Sequence, residues 1–183
     1  MSMQSRVIAI TGSPGTGKST LASRLRDQGL KVITLEELAE SVDAISQFGG
    51  VREVETSKLV QWKWEGNHPC VIDGHLSHHC SINAVVVLRC HPVELRRRLE
   101  NREGYGREKI ESNVEWELLS GVWSDLIALH PRAKVIEFDT TERDVPIDLA
   151  LNFILEKETS HSVEESITDS IDWIGTEIDA ESI

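Results

Sequence analysis

Short β-branched and aliphatic runs alternate with longer amphipathic stretches along the first 155 residues. Five runs predict strands: Arg6 to Thr11, Leu30 to Thr34, Pro69 to Asp73, Asn83 to Arg89 and Lys134 to Asp139. The segment Ala84-Val85-Val86-Val87-Leu88 is apolar at every position, so both of its faces need cover, as in a parallel sheet packed between helices. Helices fit between the runs. Lys18 to Gln28 stops before Gly29, Thr34 to Ser41 opens on a Thr34/Glu37 capping box, and Pro92 to Arg102 starts with proline in its first turn. Two more are expected near Thr56 to Glu65 and Glu108 to Leu129. The pattern predicts an α/β fold.

The chain has 183 residues, 39% apolar and 27% charged, the composition of one globular domain. Its 19 Lys and Arg face 31 Asp and Glu, a formal net charge of −12, which is the wrong sign for a broad nucleic-acid-binding face. Charge also divides the chain: residues 156–183 carry nine acids and one base, so a boundary is expected near Leu155. In that tail Val163, Ile167, Ile171, Ile174 and Ile178 fall at helical spacing, and the resulting stripe must pack on the body or on a basic partner. The longest apolar run is far short of the roughly 20 residues that span a bilayer, and the polar start lacks the apolar region of a signal peptide. A soluble cytoplasmic protein without membrane contact is expected, nuclear if the source is eukaryotic. Three cysteines, Cys70, Cys80 and Cys90, make a poor disulfide framework and are expected to be reduced.

The first chemistry lies between the first strand and the first helix. Gly12-Ser13-Pro14-Gly15-Thr16-Gly17-Lys18-Ser19 fits Gly-x-x-x-x-Gly-Lys-Ser/Thr, the loop whose glycines let backbone N–H groups turn toward a phosphate while the following helix adds its positive end. Lys18 is placed to reach β- and γ-phosphates, Ser19 to hold Mg²⁺, and Thr20 to bond an α-phosphate oxygen. No Asn-Lys-x-Asp tetrad for guanine occurs. Cys70-Val71-Ile72-Asp73 is an apolar strand ending in a carboxylate, where such proteins place the acid that holds Mg²⁺ or orients a nucleophile.

With Asp73-Gly74-His75, Val87-Leu88-Arg89, Arg102 before Gly104-Tyr105, and the segment Lys109 to Glu117, the sequence from about Arg6 to Ile154 resembles the small adenylate kinase family of archaea and the eukaryotic nucleus. The resemblance implies a three-layer P-loop kinase fold over residues 1–155, with about five parallel strands and a short lid, and an acidic helical tail over 156–183. It implies Mg²⁺-dependent transfer of the γ-phosphoryl group of ATP to AMP, with weaker ATPase activity. A role in small-ribosomal-subunit assembly is implied too, with a basic ribosomal protein bound by the body or the tail. Motif and resemblance together make Lys18, Asp73, His75 and Arg102 the catalytic candidates. Gly12, Gly15, Thr16, Gly17, Lys18, Ser19, Thr20 and Arg102 are the candidates for holding ATP, and Ser19 and Asp73 for Mg²⁺. Two departures stand out: Glu103 separates Arg102 from Gly104, and His75-Leu76-Ser77 replaces the aromatic-Pro-Arg of mainstream adenylate kinases. A kinase for another small acceptor and an ATP-gated assembly factor remain the alternatives.

Other clusters carry less. Arg96-Arg97-Arg98 sits on a helix with Glu94 and Glu100 and reads as a solvated face. His75, His78, His79 and Cys80 lack the paired ligands of a zinc knuckle and read as a loop lining the acceptor pocket. Trp62 and Trp64 read equally as core residues or as base-stacking groups. Glu55 to Lys58 is a candidate lining for the AMP side, and Asp139-Thr140-Thr141 for the adenine side.

Overall fold

In this computed structural model, which describes residues 5–48 and 51–175, every strand read from the sequence is present, shifted at its start by at most one residue. Strands β1 (Val7–Thr11), β2 (Lys31–Thr34), β5 (Cys70–Asp73), β6 (Ala84–Arg89) and β7 (Lys134–Asp139) form one sheet in the order β2-β5-β1-β6-β7, parallel throughout. Strand β1 is central, with Ile8 opposite Val71 on one side and Ala84 on the other.

The side-chain period of two sends neighbouring residues to opposite layers. Ile8, Ile10, Val86 and Leu88 pack against Leu21 and Leu25 of α1 (Lys18–Asp27) and Phe153 and Ile154 of α7 (Ile147–Ile154). Ala9, Val85 and Val87 pack against Val122, Trp123 and Leu126 of α6 (Gly121–Leu129). A third cluster joins Val7 and Ile72 to Leu35 and Leu38 of α2 (Leu35–Ser41) and to Leu59 of α3 (Thr56–Leu59). The lid-side pair α4 (Pro92–Glu100) and α5 (Arg107–Leu118) closes on Leu95, Leu99, Ile110 and Val114. The Thr34/Glu37 capping box forms as read from the sequence: Thr34 Oγ1 accepts from the Glu37 N–H at 3.1 Å, and Glu37 accepts from the Thr34 N–H at 2.8 Å. Among the described residues no helix is long and apolar enough to cross a membrane. The three cysteines are buried free thiols, and burial pushes Cys70 and Cys90 up to about 11 and Cys80 to about 12.

Four elements differ from the sequence reading. The helix expected over Thr56 to Glu65 ends at Leu59, and Trp64 instead donates from Nε1 to the His68 carbonyl at 2.7 Å. A two-stranded antiparallel ribbon, β3 (Ile45–Phe48) with β4 (Val51–Val54), precedes it. The single helix expected over Glu108 to Leu129 is broken at Ser120, which takes a left-handed conformation with φ 51°. The ring of Trp116 lies where a side chain on Gly121 would stand, so the second helix must start with glycine.

The tail is not one helix. The chain returns to the outer edge of β7, where Val135 N–H donates to His161 O at 3.0 Å and Val163 N–H to Ala133 O at 2.9 Å. It then forms α8 (Val163–Ser166) and a 3₁₀ turn, Ile167–Asp169. This covers an otherwise open sheet edge. Val163 is fully buried, Ile167 packs beside it, and Trp173 is buried with its Nε1 donating to Glu117 Oε1 at 3.1 Å. Ile178 and the acids Glu177, Asp179 and Glu181 lie outside the described residues.

Trp173 therefore anchors the tail. Replacing Trp173 by Ala should lower the unfolding free energy by about 3–5 kcal/mol, and Trp173→Phe by about 1 kcal/mol for the lost hydrogen bond, read as shifts of the urea midpoint. An unchanged midpoint for Trp173→Ala would contradict the packing described.

Candidate active site

The loop between β1 and α1 has the shape its glycines require. Gly12, Gly15 and Gly17 have φ of 136°, 92° and 91°, in the region side chains avoid. A β-carbon on Gly12 would also run into the carbonyl oxygen of Leu88 on the neighbouring strand. The loop is laced from within and from beside: Thr16 Oγ1 donates to Ser13 O at 2.8 Å, and the Thr140 hydroxyl lies between the carbonyls of Thr16 and Arg89, 3.0 and 2.8 Å away. Lys18 folds back into the loop, its Nζ donating to the carbonyls of Gly12 and Ser13 at 2.9 and 2.8 Å. Burial lowers its pKa to about 8, with the Arg102 cation adding to the effect and Asp73 and Glu117 opposing it.

Beneath the loop lies an ion-pair network. Ser13 Oγ donates to Glu117 Oε2 at 2.6 Å, and Arg89 Nε donates to Glu117 Oε1 at 2.6 Å. Both charged side chains are almost wholly buried, at 0% and 1% exposure. Arg89 further donates to Glu137 at 3.0 Å, to the carbonyls of Ile171 and Glu117 at 3.2 and 3.0 Å, and to Ser120 Oγ at 3.1 Å. The guanidinium thus uses all five of its N–H donors.

Two cavities open on the loop. The larger, about 720 Å³, is lined by Gly15, Gly17, Lys18, Ser19 and Thr20, by Asp73, Gly74 and His75 after β5, by Arg102 and Tyr105 of the lid, and by Ile45 and Val54 of the ribbon. The smaller, about 470 Å³, shares Gly15, Gly17 and Thr20 and adds Thr16, Arg24, Arg98 and the segment from Thr140 to Val145. The sequence-selected residues Lys18, Ser19, Asp73, His75 and Arg102 therefore meet in one cleft, Thr16 faces the other cavity, and Gly12 supports the loop from below.

At the cleft floor Ser19 and Asp73 line the same wall, with the Ser19 hydroxyl close enough to stabilise the Asp73 carboxylate. Burial raises the Asp73 pKa, against the lowering effects of the Ser19 hydroxyl, Lys18 and Arg26. A hydroxyl and a buried carboxylate are hard oxygen donors, the set that Mg²⁺ takes. His75 stands at the cleft mouth with its pKa lowered to about 4, first by desolvation and then by Lys18, His78, His79 and Lys109, so it is neutral near pH 7. Tyr105 lies between two cations, with Arg102 Cζ 5.1 Å and Lys109 Nζ 4.2 Å from its ring centroid.

Some expectations fail here. His78, His79 and Cys80 do not line the cleft, because the 3₁₀ turn Ser77–His79 carries them away from it. Trp62 and Trp64 stack on each other at 6.3 Å over the α2 side of the core, which favours the core reading, and Glu55 and Lys58 pair with each other at 2.7 Å outside the cleft lining. Arg96 and Arg97 are solvated partners of Glu111 and Glu94, as expected. Arg98 is not: it donates to Gly15 O at 3.2 Å and to the carbonyls of Thr140 and Thr141 at 2.7 and 2.8 Å, joining the two walls of the smaller cavity. Glu117 and Arg98 are the site residues the sequence reading missed.

The AAA_18 family model, an AAA domain, matches residues 8–120. A protein of Archaeoglobus fulgidus named "Putative adenylate kinase" is 41% identical over 138 residues, 74% of either chain. Another of that name from Methanocaldococcus jannaschii is 33% identical over 182 residues, 93% of this chain and 98% of its own. Among solved structures, TT1252 from Thermus thermophilus superposes with a TM-score of 0.52 at 17% identity, covering 85% of this chain and 99% of that one. Deoxyadenosine kinase from M. mycoides gives 0.52 at 16% identity, covering 83% and 100%, and these two likenesses speak to the fold. With a matching P-loop family model and relatives of this identity and coverage, the chain is a nucleotide kinase of the P-loop class and belongs to the small adenylate kinase family of the archaeal and eukaryotic-nuclear type.

Proposed function

We propose that the protein is a Mg²⁺-dependent adenylate kinase that transfers the γ-phosphoryl group of ATP to AMP, with ATP hydrolysis as a weaker side reaction. The observation that carries this reading is the pair of cavities meeting at Gly15, Gly17 and Thr20. Phosphotransfer between two nucleotides needs a donor pocket and an acceptor pocket on one phosphate-binding loop, whereas a simple ATPase needs one pocket. The smaller cavity, between Arg24, Arg98 and Thr140, takes the donor nucleoside, and the larger takes the acceptor against the ribbon and the lid.

The chemistry is mostly charge placement. Mg²⁺, held at Ser19 and Asp73, supplies neutralisation of the β- and γ-phosphates when ATP is bound. Lys18 exchanges the carbonyls of Gly12 and Ser13 for phosphate oxygens and follows the migrating group, while Arg102 meets it from the lid. The lid closes Tyr105 over the cleft and excludes the water that would divert the phosphoryl group. A phosphomonoester has its second pKa near about 6 and is already ionised at neutral pH, so the acceptor needs no general base. A neutral His75 suits that role: it orients the acceptor phosphate by hydrogen bonding and adds no positive charge of its own. The name shared by the archaeal relatives supports AMP as the acceptor.

A role in ribosomal-subunit assembly with a basic protein partner has its support in the resemblance alone. The tail's apolar stripe, one candidate docking face for such a partner, is occupied by the body at Val163 and Ile167.

Initial rates of ADP formation across a panel of nucleoside monophosphates and hydroxyl acceptors should be highest with AMP. Equal or faster transfer to a nucleoside or sugar hydroxyl would overturn the assignment. In the same assay Lys18→Ala should lower kcat by about 10²–10³-fold with the fold intact by circular dichroism.

The lowered Lys18 pKa gives a pH signature. Below about pH 8 the ammonium is present and kcat/KM for ATP should be flat; above it the free enzyme loses this proton and kcat/KM should fall about tenfold per unit. Bound polyphosphate favours the charged form, so the same limb in kcat should lie at higher pH. A kcat/KM profile flat to pH 10 would remove Lys18 from the binding step.

A further inference from the structure

The 3₁₀ turn after β5 and the middle of α6 bring three ligand-type side chains together outside the linings of both cavities. His78 Nε2 is 3.1 Å from Asp125 Oδ2, His79 Nε2 is 3.7 Å from the same oxygen, and all three donor atoms lie within 4.8 Å of one another. Bonds of about 2.0–2.1 Å to a tetrahedral centre separate ligand atoms by about 3.3–3.4 Å, so the two shorter spacings already bracket what one ion requires. His78 is 2% exposed, whereas the side chains of His79 and Asp125 are 22% and 33% exposed, which leaves a route in from solvent and a coordination position open toward it.

Counting hydrogens around His78 points the same way. Thr11 Oγ1 lies 3.0 Å from the His75 carbonyl and 2.7 Å from His78 Nδ1, and a hydroxyl has one hydrogen to give. In the tautomer whose hydroxyl hydrogen goes to the His75 carbonyl, His78 Nδ1–H donates to Thr11, and the Nε2 lone pair faces the Asp125 oxygen 3.1 Å away, a separation that one ion bound to both satisfies. In metal sites the ligating histidine characteristically donates its other ring N–H to an oxygen, the place Thr11 Oγ1 takes beside His78 Nδ1. His130 braces the turn from the same side, its Nε2 2.8 Å from the His78 carbonyl, and so lies outside the ligand set.

We propose that His78, His79 and Asp125 form a Zn²⁺ site, separate from the Mg²⁺ position at Ser19 and Asp73, with a fourth position open to water. Two imidazoles and one carboxylate suit zinc better than magnesium or calcium, which take oxygen ligands. The absence of a paired cysteine motif does not count against it, because the third ligand comes from α6, far along the chain. Occupancy ties the turn that follows His75 to α6 and, through His78, to Thr11, the residue before Gly12.

Calorimetric titration of the full chain, freed of metal by chelator and supplied with ZnCl₂ in the presence of excess Mg²⁺, should show one zinc per chain with a dissociation constant in the micromolar range or below. The melting temperature should rise with zinc. His79→Ala and Asp125→Asn, both at half-exposed positions, should each weaken binding at least tenfold while keeping the metal-free melting temperature. Asp73→Asn should bind zinc as the parent does. Nitrogen-15 spectra of the histidine rings give an independent reading, with the His78 and His79 Nε2 signals moving on zinc addition. The proposal is overturned by absence of stoichiometric binding, by undiminished binding in both variants, or by a His78 that carries its proton on Nε2 and does not respond to zinc.

Discussion

The Glu117 carboxylate, closed in between Arg89 and Ser13, is the contact through which most of this structure is joined. Arg89 ends β6, Ser13 belongs to the phosphate loop, and Glu117 sits in the last turn of α5. The same guanidinium holds Ser120 at the helix break, Glu137 on β7 and the Ile171 carbonyl in the tail. Taking two charges out of water is costly, and such a pair contributes little net stability compared with a well-packed apolar substitute. Losing one partner is another matter, costing about 3–5 kcal/mol, because the other charge is then stranded. The phosphate loop and the end of α5, which lie outside the apolar cluster that joins β6, α6, β7 and the tail, are thereby tied to it.

That geometry explains two local oddities. Ser120 adopts a left-handed conformation, at an expense of about 1–2 kcal/mol for a residue other than glycine, and in return its hydroxyl reaches Arg89. A continuous helix from Arg107 to Leu129 would carry that hydroxyl elsewhere. Trp173 closes the network from the tail side, donating to Glu117 and lying edge-on to His91 with ring centroids 5.2 Å apart. The phosphate loop, the lid helix and the tail therefore share one anchor. Anything that reshapes the loop at Ser13 is felt by the helix that follows the lid.

What could be read from the sequence is what is encoded locally. The strands show as apolar runs, α2 as a Thr34/Glu37 cap, α4 as a proline-led helix, and the phosphate loop as a string of glycines with a fixed job at each position. Gly12 is a case in point: its φ and the approach of the Leu88 carbonyl leave no room for a side chain. The missed features depend on distant partners. Glu117 is one more acid on a polar helix until β6 brings Arg89 beneath it, and Arg98 looks like its solvated neighbours until the loop bearing Thr140 folds over it. Asp125 and His78 are separated by three secondary-structure elements. The ribbon β3–β4 is an exception, since Gly49-Gly50 between two short β-prone runs is a local hairpin signal in the sequence. The break at Ser120 goes with contacts, the Ser120 hydroxyl on Arg89 and the Trp116 ring over Gly121, which periodicity does not register.

The central position of β1 also sets a timetable for synthesis. The strand that carries the phosphate loop is made before the other four strands of its sheet, yet its partner β5 begins at Cys70 and its other partner β6 at Ala84. Strand β2 pairs with β5 and has no earlier neighbour in the sheet. At about 5–20 residues per second, Val7 to Thr11 therefore waits roughly 3–13 s with both hydrogen-bonding edges bare and both faces apolar. Of the strands made in that interval, β3 and β4 can pair with each other at once. The nascent chain is exposed to edge-to-edge association until Cys70–Asp73 arrives, and the residues that make the loop work are the ones left longest without a sheet to hold them.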